Sequence, residues 1–299
     1  MNSPISHKEA LKIDSFKAQQ IIKLYEDQIK LDVSRHFKGI ENIDLYECAQ
    51  TGYRFYYPFS TIGDAQFYKD LAHVRSNYYS TRWEHKQIAA RIDREESVLE
   101  IGSGYGIFLT LLKERGVHDV TGIELSAHAA QHCSDKGLPV FQQTVEQVAG
   151  KNKLYDVVCA FQVLEHITDV HSFLSACLAV LHPGGRLILG VPNNNPFLFK
   201  NDKYHTLNLP PHHAGLWSGD SLKALSDILD MTAVSLSYEP LSYCMQAYIS
   251  SQITNSRNPL RKSIFISGQK VLGRHFGKLV NKVEKGRNVL AVFKKVDHG

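Results

Sequence analysis

Apolar residues change their spacing three times along this chain. Over 7–30, Leu11, Ile13, Phe16, Ile21, Ile22, Leu24 and Ile29 recur among charged residues as an irregular helical stripe, so a helix is expected there. Residues 44–60 are aromatic and punctuated by Gly52 and Pro58, which reads as a short strand or turn unit. A helical pattern returns over 64–92 and ends in STRWEHKQIAARI. From residue 97 the rhythm differs. SVLEIG (97–102), DVTGIEL (119–125), LPVFQQ (138–143), YDVVCAF (155–161) and GRLILGVP (185–192) are short apolar runs, with helical stretches between them that include one to residue 136 and one around 170–181. Strands alternating with helices at this spacing predict a parallel, doubly wound α/β sheet. A helix at 219–229, a run at 231–238 and a last strand, NVLAVFKK (288–295), continue it.

Composition adds boundaries to this picture. The 299 residues are 43% hydrophobic and 21% charged, enough for one large domain or a core with appendages. A formal net charge of +4 is too mild to imply nucleic acid. The five cysteines are scattered without metal-ligand spacing, so a disulfide framework is not expected and a reducing cytosol fits. The polar N-terminal stretch lacks the apolar segment of a secretory signal, and no apolar run approaches the roughly 20 residues of a membrane span. A cytoplasmic protein is expected.

The first candidate chemistry follows the first apolar run of the alternating region. VLEIGSGYG (98–106) places Gly102, Gly104 and Gly106 between a strand and a helix. Glycines there let the backbone turn and approach a ligand, and the helix N-terminus adds oriented N–H groups. The spacing is G-x-G-x-G rather than the dinucleotide G-x-G-x-x-G, and Glu100 would repel a pyrophosphate. A carboxylate at that point suits a cationic amino group. Glu124 ends the second strand, where an acid can accept hydrogen bonds from ribose hydroxyls. Ribose, no phosphate and a cationic amino-acid end describe S-adenosylmethionine.

These motifs resemble those of the class I S-adenosylmethionine-dependent methyltransferases. VLEIGSGYG is similar to the family's first motif, GIELS (122–126) to its second, YDVVCAFQVLEHI (155–167) to its fourth strand and following loop, and LHPGGRLILGVPN (181–193) to the approach to its fifth strand. The resemblance covers about 95–240 plus the last strand. It implies a Rossmann-like, doubly wound seven-stranded sheet with an antiparallel last strand, 231–238 and 288–295 forming the closing hairpin. A helical and aromatic N-terminal cap (1–94) would precede the core (95–240) with its substrate loop (193–217). A basic helical segment and final edge strand (241–299) would complete it. The resemblance further implies that Glu100, Gly102 and Gly104, with Ser103 and Gly106 of the same loop, hold the methionine end of the cofactor. Glu124, followed by Leu125, would hold the ribose. Thr144 and Val145 would border the adenine, and Phe161 and Gln162 would face the sulfonium. Tyr78, Tyr79 and Trp83 either close a lid over the cofactor or pack in the core.

Methyl transfer needs an aligned nucleophile and often the removal of its proton, for which histidine is suited. His166 follows the fourth strand, and LPPHHAGLW (209–217) puts His212 and His213 side by side on the same rim. On an extended backbone adjacent side chains point opposite ways. His213 is the first candidate for a general base, with His166 and His212 beside it, whereas His171 and His182 are expected to be structural. The sequence also resembles the E-x-x-E-H motif of ubiquinone-biosynthesis O-methyltransferases and small-RNA 2′-O-methyltransferases, with Gln162, Glu165 and His166 at its three positions. In those relatives the motif binds a divalent metal, and the RNA enzymes add a downstream histidine, which His213 would match. Gln162 replaces the first carboxylate with a weaker ligand, so no metal is expected; were one bound, Glu165, His166 and His213 would hold it.

The expected activity is O-methylation of a small molecule or saccharide with a histidine base. The alternatives are metal-assisted 2′-O-methylation of RNA and a non-catalytic cofactor-binding module. YECAQTGYRFYYP (46–58) is similar to an N-terminal module of some sugar methyltransferases, but Thr51 stands where a second zinc-ligating cysteine would be, so zinc is not expected. Residues 257–287 are basic, with Val271, Leu272, Phe276, Leu279, Val280 and Val283 at helical spacing. The favoured reading is a helix packed on the core with a solvated basic face; the sharper one is a peripheral contact with anionic lipid, a phosphate-bearing substrate or RNA. Nucleic acid is not the expected partner.

Overall fold

The computed structural model describes residues 1–75, 80–151, 153–195, 202–256 and 258–297. Its strands are β1 (Ala10–Lys17), β2 (Asn42–Cys48), β3 (Arg54–Tyr57), β4 (Val98–Ile101), β5 (Val120–Ile123), β6 (Val140–Phe141), β7 (Tyr155–Phe161), β8 (Leu181–Pro192), β9 (Gly215–Leu216), β10 (Met231–Pro240) and β11 (Lys285–Lys295). The helices that matter most for the site are α1 (Ala18–Leu24), α2 (Ala65–Val74), α3 (Trp83–Ala89), α4 (Ile107–Glu114), α5 (Ala127–Asp135), α6 (Val145–Ala149) and α7 (Val170–Ala179).

The short apolar runs become strands covered on both faces. Along β7, Val158 and Ala160 enter one apolar layer with Leu174 of α7, while Val157, Cys159 and Phe161 enter the other with Phe108 of α4. That double burial is why the run reads as continuously apolar rather than alternating. Seven strands form one sheet in the order β10-β11-β8-β7-β4-β5-β6. Neighbours from β8 to β6 are parallel, and β11 is antiparallel to both β8 and β10. The Rossmann-like sheet expected from the sequence is present. One detail differs: β11 is not an edge strand, because it lies between β10 and β8 and leaves β10 at the edge. Its buried Val289, Ala291 and Phe293 on one face and Leu290 and Val292 on the other require cover on both sides.

The N-terminal part departs further from expectation. The segment predicted as a helix over 7–30 starts as β1, which pairs antiparallel with β2, and only then turns into α1. Leu11 and Ile13 stand two residues apart, a strand period, and both remain largely exposed beside a bulge at Lys12–Asp14. Cross-strand pairing settled the conformation: Lys12 Nζ lies 2.8 Å from Asp44 Oδ1, and the Ser15 hydroxyl donates to the same oxygen at 2.7 Å. The cap is therefore built on a four-stranded sheet, β1-β2-β3-β9, rather than on helices. Its last strand comes from the expected substrate loop, with Arg54 opposite Leu216 and Phe55 opposite Gly215.

The 64–92 stretch holds two helices, α2 and α3. Trp83 is buried among Ile88, Phe108 and Val157, which makes it a core residue and not a lid; Tyr78 and Tyr79 lie outside the described residues. The expected helix at 219–229 is a short α-helix, Gly219–Lys223, followed by a 3-10 turn. Between β10 and β11 the chain makes the helices Met245–Asn255, Pro259–Leu272 and Arg274–Val280, which pack around a small core of their own. Phe276 and Val280 are buried there, but Val271, Leu272, Leu279 and Val283 face outward, so the expected packing of that apolar set on the core does not occur. All five cysteines are free and buried.

Candidate active site

A cleft of about 1590 Å³ opens over the carboxyl ends of the parallel strands, the place where open α/β sheets bind ligands. One wall is the loop after β4. Gly102, Gly104 and Gly106 have φ of 72°, 52° and 70°, a left-handed conformation that side chains resist. The N–H groups of Gly102 and Ser103 donate to the Ile123 carbonyl at 2.8 and 3.1 Å, tying the loop to β5. The Ser103 hydroxyl is turned to the backbone oxygens of Glu100 and Ile123. Gly102, Ser103 and Gly104 line the cleft. Gly106 does not: it starts α4, where a Cβ would collide with Leu138.

Glu100 and Glu124 also line the cleft. Glu100 is 3% exposed, and its Oε2 has no hydrogen-bond partner. Burial, and then the nearby Glu124 charge, push its pKa well above the usual carboxylate range. Glu124 is held by backbone donors, Gly104 N–H on Oε2 at 2.9 Å and Ser126 N–H on Oε1 at 2.8 Å. Each of those oxygens keeps a second lone pair for a ligand. Leu125 lies on the rim, largely exposed, and Thr144 and Val145 open α6 through a capping box between Thr144 and Gln147. Phe161 ends β7 at the cleft floor. Gln162 has a φ of 56°, and its amide donates to Glu84 Oε1 at 3.0 Å. That ties the side chain to α3.

The histidines converge in the same cleft. The 3-10 turn Leu164–His166 after β7 presents Glu165 and His166. The loop carrying His212 and His213 is fixed from several sides: Ala214 N–H donates to the Glu165 carbonyl (2.8 Å), Tyr56 N–H to the Ala214 carbonyl (2.9 Å), and the Tyr25 hydroxyl to the Leu209 carbonyl (2.9 Å). The backbone turns at this point, with His212 and His213 N–H groups both directed to Leu209 O. Their rings consequently stack at 4.4 Å and 21°, instead of pointing apart as on an extended chain. His166 sits 5.1 Å from the His213 ring. His166 Nδ1–H donates to the His212 carbonyl at 2.6 Å, with the Tyr68 hydroxyl 3.0 Å from the same nitrogen. His212 Nδ1–H donates to the Leu207 carbonyl at 2.8 Å. Both rings then carry their lone pair on Nε2. His213 Nδ1 is buried without a partner.

Burial sets the charge state of this cluster. It lowers the His166 pKa to about 4 and those of His212 and His213 well below the usual value, the neighbouring imidazoles adding to the effect at the last two. Burial raises the Glu165 carboxyl to about 8. The three imidazoles are neutral at pH 7, and one ligand atom of each lies within 4.8 Å of the others. Glu165 Oε1 is 4.0 Å from His166 Nε2. His171 and His182 are outside the cleft lining.

Sequence reasoning did not single out Glu84, His85, Tyr68, His205, Arg287 or Asn288, all of which sit at or next to the cleft. Glu84 is fully buried, with burial raising its pKa. The one signal in the sequence was its place between Trp83 and His85 in a stretch that otherwise reads as an ordinary amphipathic helix.

A family model described as a methyltransferase domain matches residues 73–235. The chain belongs to this methyltransferase family. It is a class I S-adenosylmethionine-dependent methyltransferase, and its cofactor is S-adenosylmethionine. Among its curated relatives is the ubiquinone biosynthesis O-methyltransferase of Stutzerimonas stutzeri, 31% identical over 169 residues that make up 49% of this chain and 70% of the relative. The protein of the same name from Pseudomonas paraeruginosa is 32% identical over equal shares. The crystal structure of a SAM-dependent methyltransferase from Archaeoglobus fulgidus shares the fold at 19% identity and a TM-score of 0.50, covering 78% of this chain and all (100%) of that one. Among the described residues no helix is long and apolar enough to cross a membrane.

Proposed function

We propose that this methyltransferase methylates a hydroxyl oxygen of a small molecule, bound where the histidine cluster faces the glycine loop. The observation that carries the reading is the convergence of His166, His212 and His213 on the cleft that Glu100 and Glu124 also line. A cleft of about 1590 Å³ exceeds the roughly 300–1,000 Å³ of a single-ligand pocket, leaving room for an acceptor beside the cofactor. The relatives named for ubiquinone biosynthesis favour the small-molecule side of the expectation over a saccharide.

In this reading the partnerless Glu100 carboxyl takes the cofactor's ammonium group. Glu124 takes the ribose hydroxyls, Thr144 and Val145 border the adenine, and Phe161 covers the sulfonium side. Gly102 and Gly104 let the backbone approach the methionine end, while Ser103 and Gly106 shape the loop. The chain's remaining task is to place the acceptor oxygen in line with the methyl group, exclude water and receive a proton. His213 Nδ1, buried and without a partner, is the group positioned to accept that proton.

A second reading rests on the same cluster. Three neutral imidazoles, two of them with Nδ1–H anchored on backbone carbonyls, make a donor set that fits a divalent cation. His166, His212 and His213 would hold it, and the chemistry it would supply is a lowered pKa for the acceptor hydroxyl. The test is methyl transfer from labelled S-adenosylmethionine to hydroxyl-bearing small molecules, with and without a chelator. Chelator-resistant transfer that His213→Ala abolishes supports the base. Chelator-sensitive transfer restored by added cation supports the second reading. Transfer that survives both treatments removes the cluster from the chemistry.

A further inference from the structure

The insertion between β10 and β11 has a composition and a shape that the methyltransferase core does not need. From 245 to 283 it contains seven Lys and Arg residues and not one Asp or Glu. The helix Pro259–Leu272 buries a single side chain, Phe265, which packs on Tyr248 and Phe276. Its outer face is not polar. Leu260, Ile264 and Val271 recur at i, i+4 and i+11, one stripe along the helix, and are 69%, 52% and 78% exposed. Leu279 in the next helix and Val283 just past its end, again four apart, are 55% and 85% exposed. Arg261 and Lys270 stand about a quarter-turn to either side of the stripe, and Lys278 and Lys282 accompany Leu279 and Val283. Isolated exposed leucines are ordinary, but an apolar stripe broken only by the small Ser267, flanked by cations and with no acid beside it, marks a binding surface.

We propose that this face docks the enzyme on an anionic lipid bilayer. The aliphatic side chains would enter the headgroup boundary while the flanking Lys and Arg meet lipid phosphates, the arrangement of an amphipathic helix lying in the interface plane. Charge complementarity selects this occupant. A second copy would bring the same acid-free, basic face against itself. Single-stranded nucleic acid calls for exposed aromatic platforms, and Phe265 and Phe276, the phenylalanines of these two helices, are both buried, which leaves the ring of His275 alone exposed there. At 14 residues the helix is too short to span a bilayer, so it lies on the surface. The insertion leaves β10 at Pro240 and rejoins β11 at Lys285, two residues before Arg287 and Asn288 on the cleft. The docking segment is thus joined directly to a strand that lines the cleft.

The test is co-sedimentation of the full chain with vesicles of phosphatidylcholine alone and of an equimolar phosphatidylcholine–phosphatidylglycerol mixture. Binding is expected to the mixed vesicles only, weakening as salt is added. Val271→Asp with Ile264→Asp should lower partitioning at least tenfold, and Lys270→Glu with Lys278→Glu by a similar factor. Affinity for S-adenosylhomocysteine should stay unchanged in both, which shows that the variants fold. No binding to either vesicle, or equal binding by the variants, overturns the proposal. So does a concentration-dependent dimer that Val271→Asp dissociates without any vesicle binding, because the face would then join two copies.

Discussion

Glu100→Gln separates the cost of a buried carboxyl from its use. The side chain is 3% exposed, one oxygen has no partner, and burial with the facing Glu124 keeps it protonated well above the usual carboxylate range. In the window between its ordinary and its raised pKa, the native protein holds a proton that the unfolded chain has lost. Stability must therefore fall as pH rises through that window, by about 1.4 kcal/mol per unit for this group. Glutamine removes that slope, so the variant should melt higher than the parent, by a margin that grows with pH. Cofactor binding runs the other way. An ammonium group needs the carboxylate, so binding expels the proton, and affinity should rise by up to tenfold per pH unit within the same window. A charge-assisted hydrogen bond contributes about 1.5–3 kcal/mol, which makes the loss in Glu100→Gln roughly 10- to 150-fold in Kd once the parent carboxyl is ionised. Calorimetric titration with S-adenosylhomocysteine from pH 6 to 9, in buffers of different ionisation enthalpy, measures both affinity and proton release. A variant that binds as tightly as the parent, with the same pH slope, would show that the ammonium group is not held by Glu100.

Gly102→Ala should cost at least about 1–2 kcal/mol, because φ is 72° and the new methyl would meet Val163; thermal melts should show the drop, with cofactor affinity falling alongside. Gly215→Ala would place a methyl on the Tyr53 ring and hydroxyl and disrupt the pairing of β9 with β3. A loss of about 1–3 kcal/mol is expected, and turnover should fall more than cofactor binding because the histidine loop is released. Tyr68→Phe removes the hydroxyl between His166 and the His212 carbonyl; about 1 kcal/mol of stability should go, with kcat reduced and the S-adenosylhomocysteine Kd within about twofold of the parent. An unchanged kcat would show that His166 needs no such anchor.

The core was legible because its chemistry repeats locally. Glu100 sits in, and the glycines and Glu124 follow, short, doubly buried strands whose apolar runs announce themselves. The N-terminal module was not legible in the same way. Leu11 and Ile13 fit a helical stripe as well as a strand, and only pairing with Asp44 and its neighbours, about thirty residues away, decides between them. The histidines were individually visible but their arrangement was not. A turn held by Leu209 stacks His212 on His213, and the residues that position it, Tyr25 and Tyr68, lie far earlier in the chain. Glu84 escaped notice because a buried acid on a helix looks like any surface acid until its neighbours are known. The exposed face of 259–272 was misread for a related reason: apolar periodicity reports that a helix has an apolar face, not what that face meets.

The most direct test of the proposed chemistry is the transfer of tritium from methyl-labelled S-adenosylmethionine to a cell extract separated into small-molecule, saccharide and RNA fractions, comparing the parent enzyme with His213→Ala. Label in small-molecule methyl ethers, lost in His213→Ala at unchanged cofactor affinity, is the result expected if the histidine cluster serves a hydroxyl acceptor. Label on amines or RNA, or equal transfer by the two proteins, would contradict it.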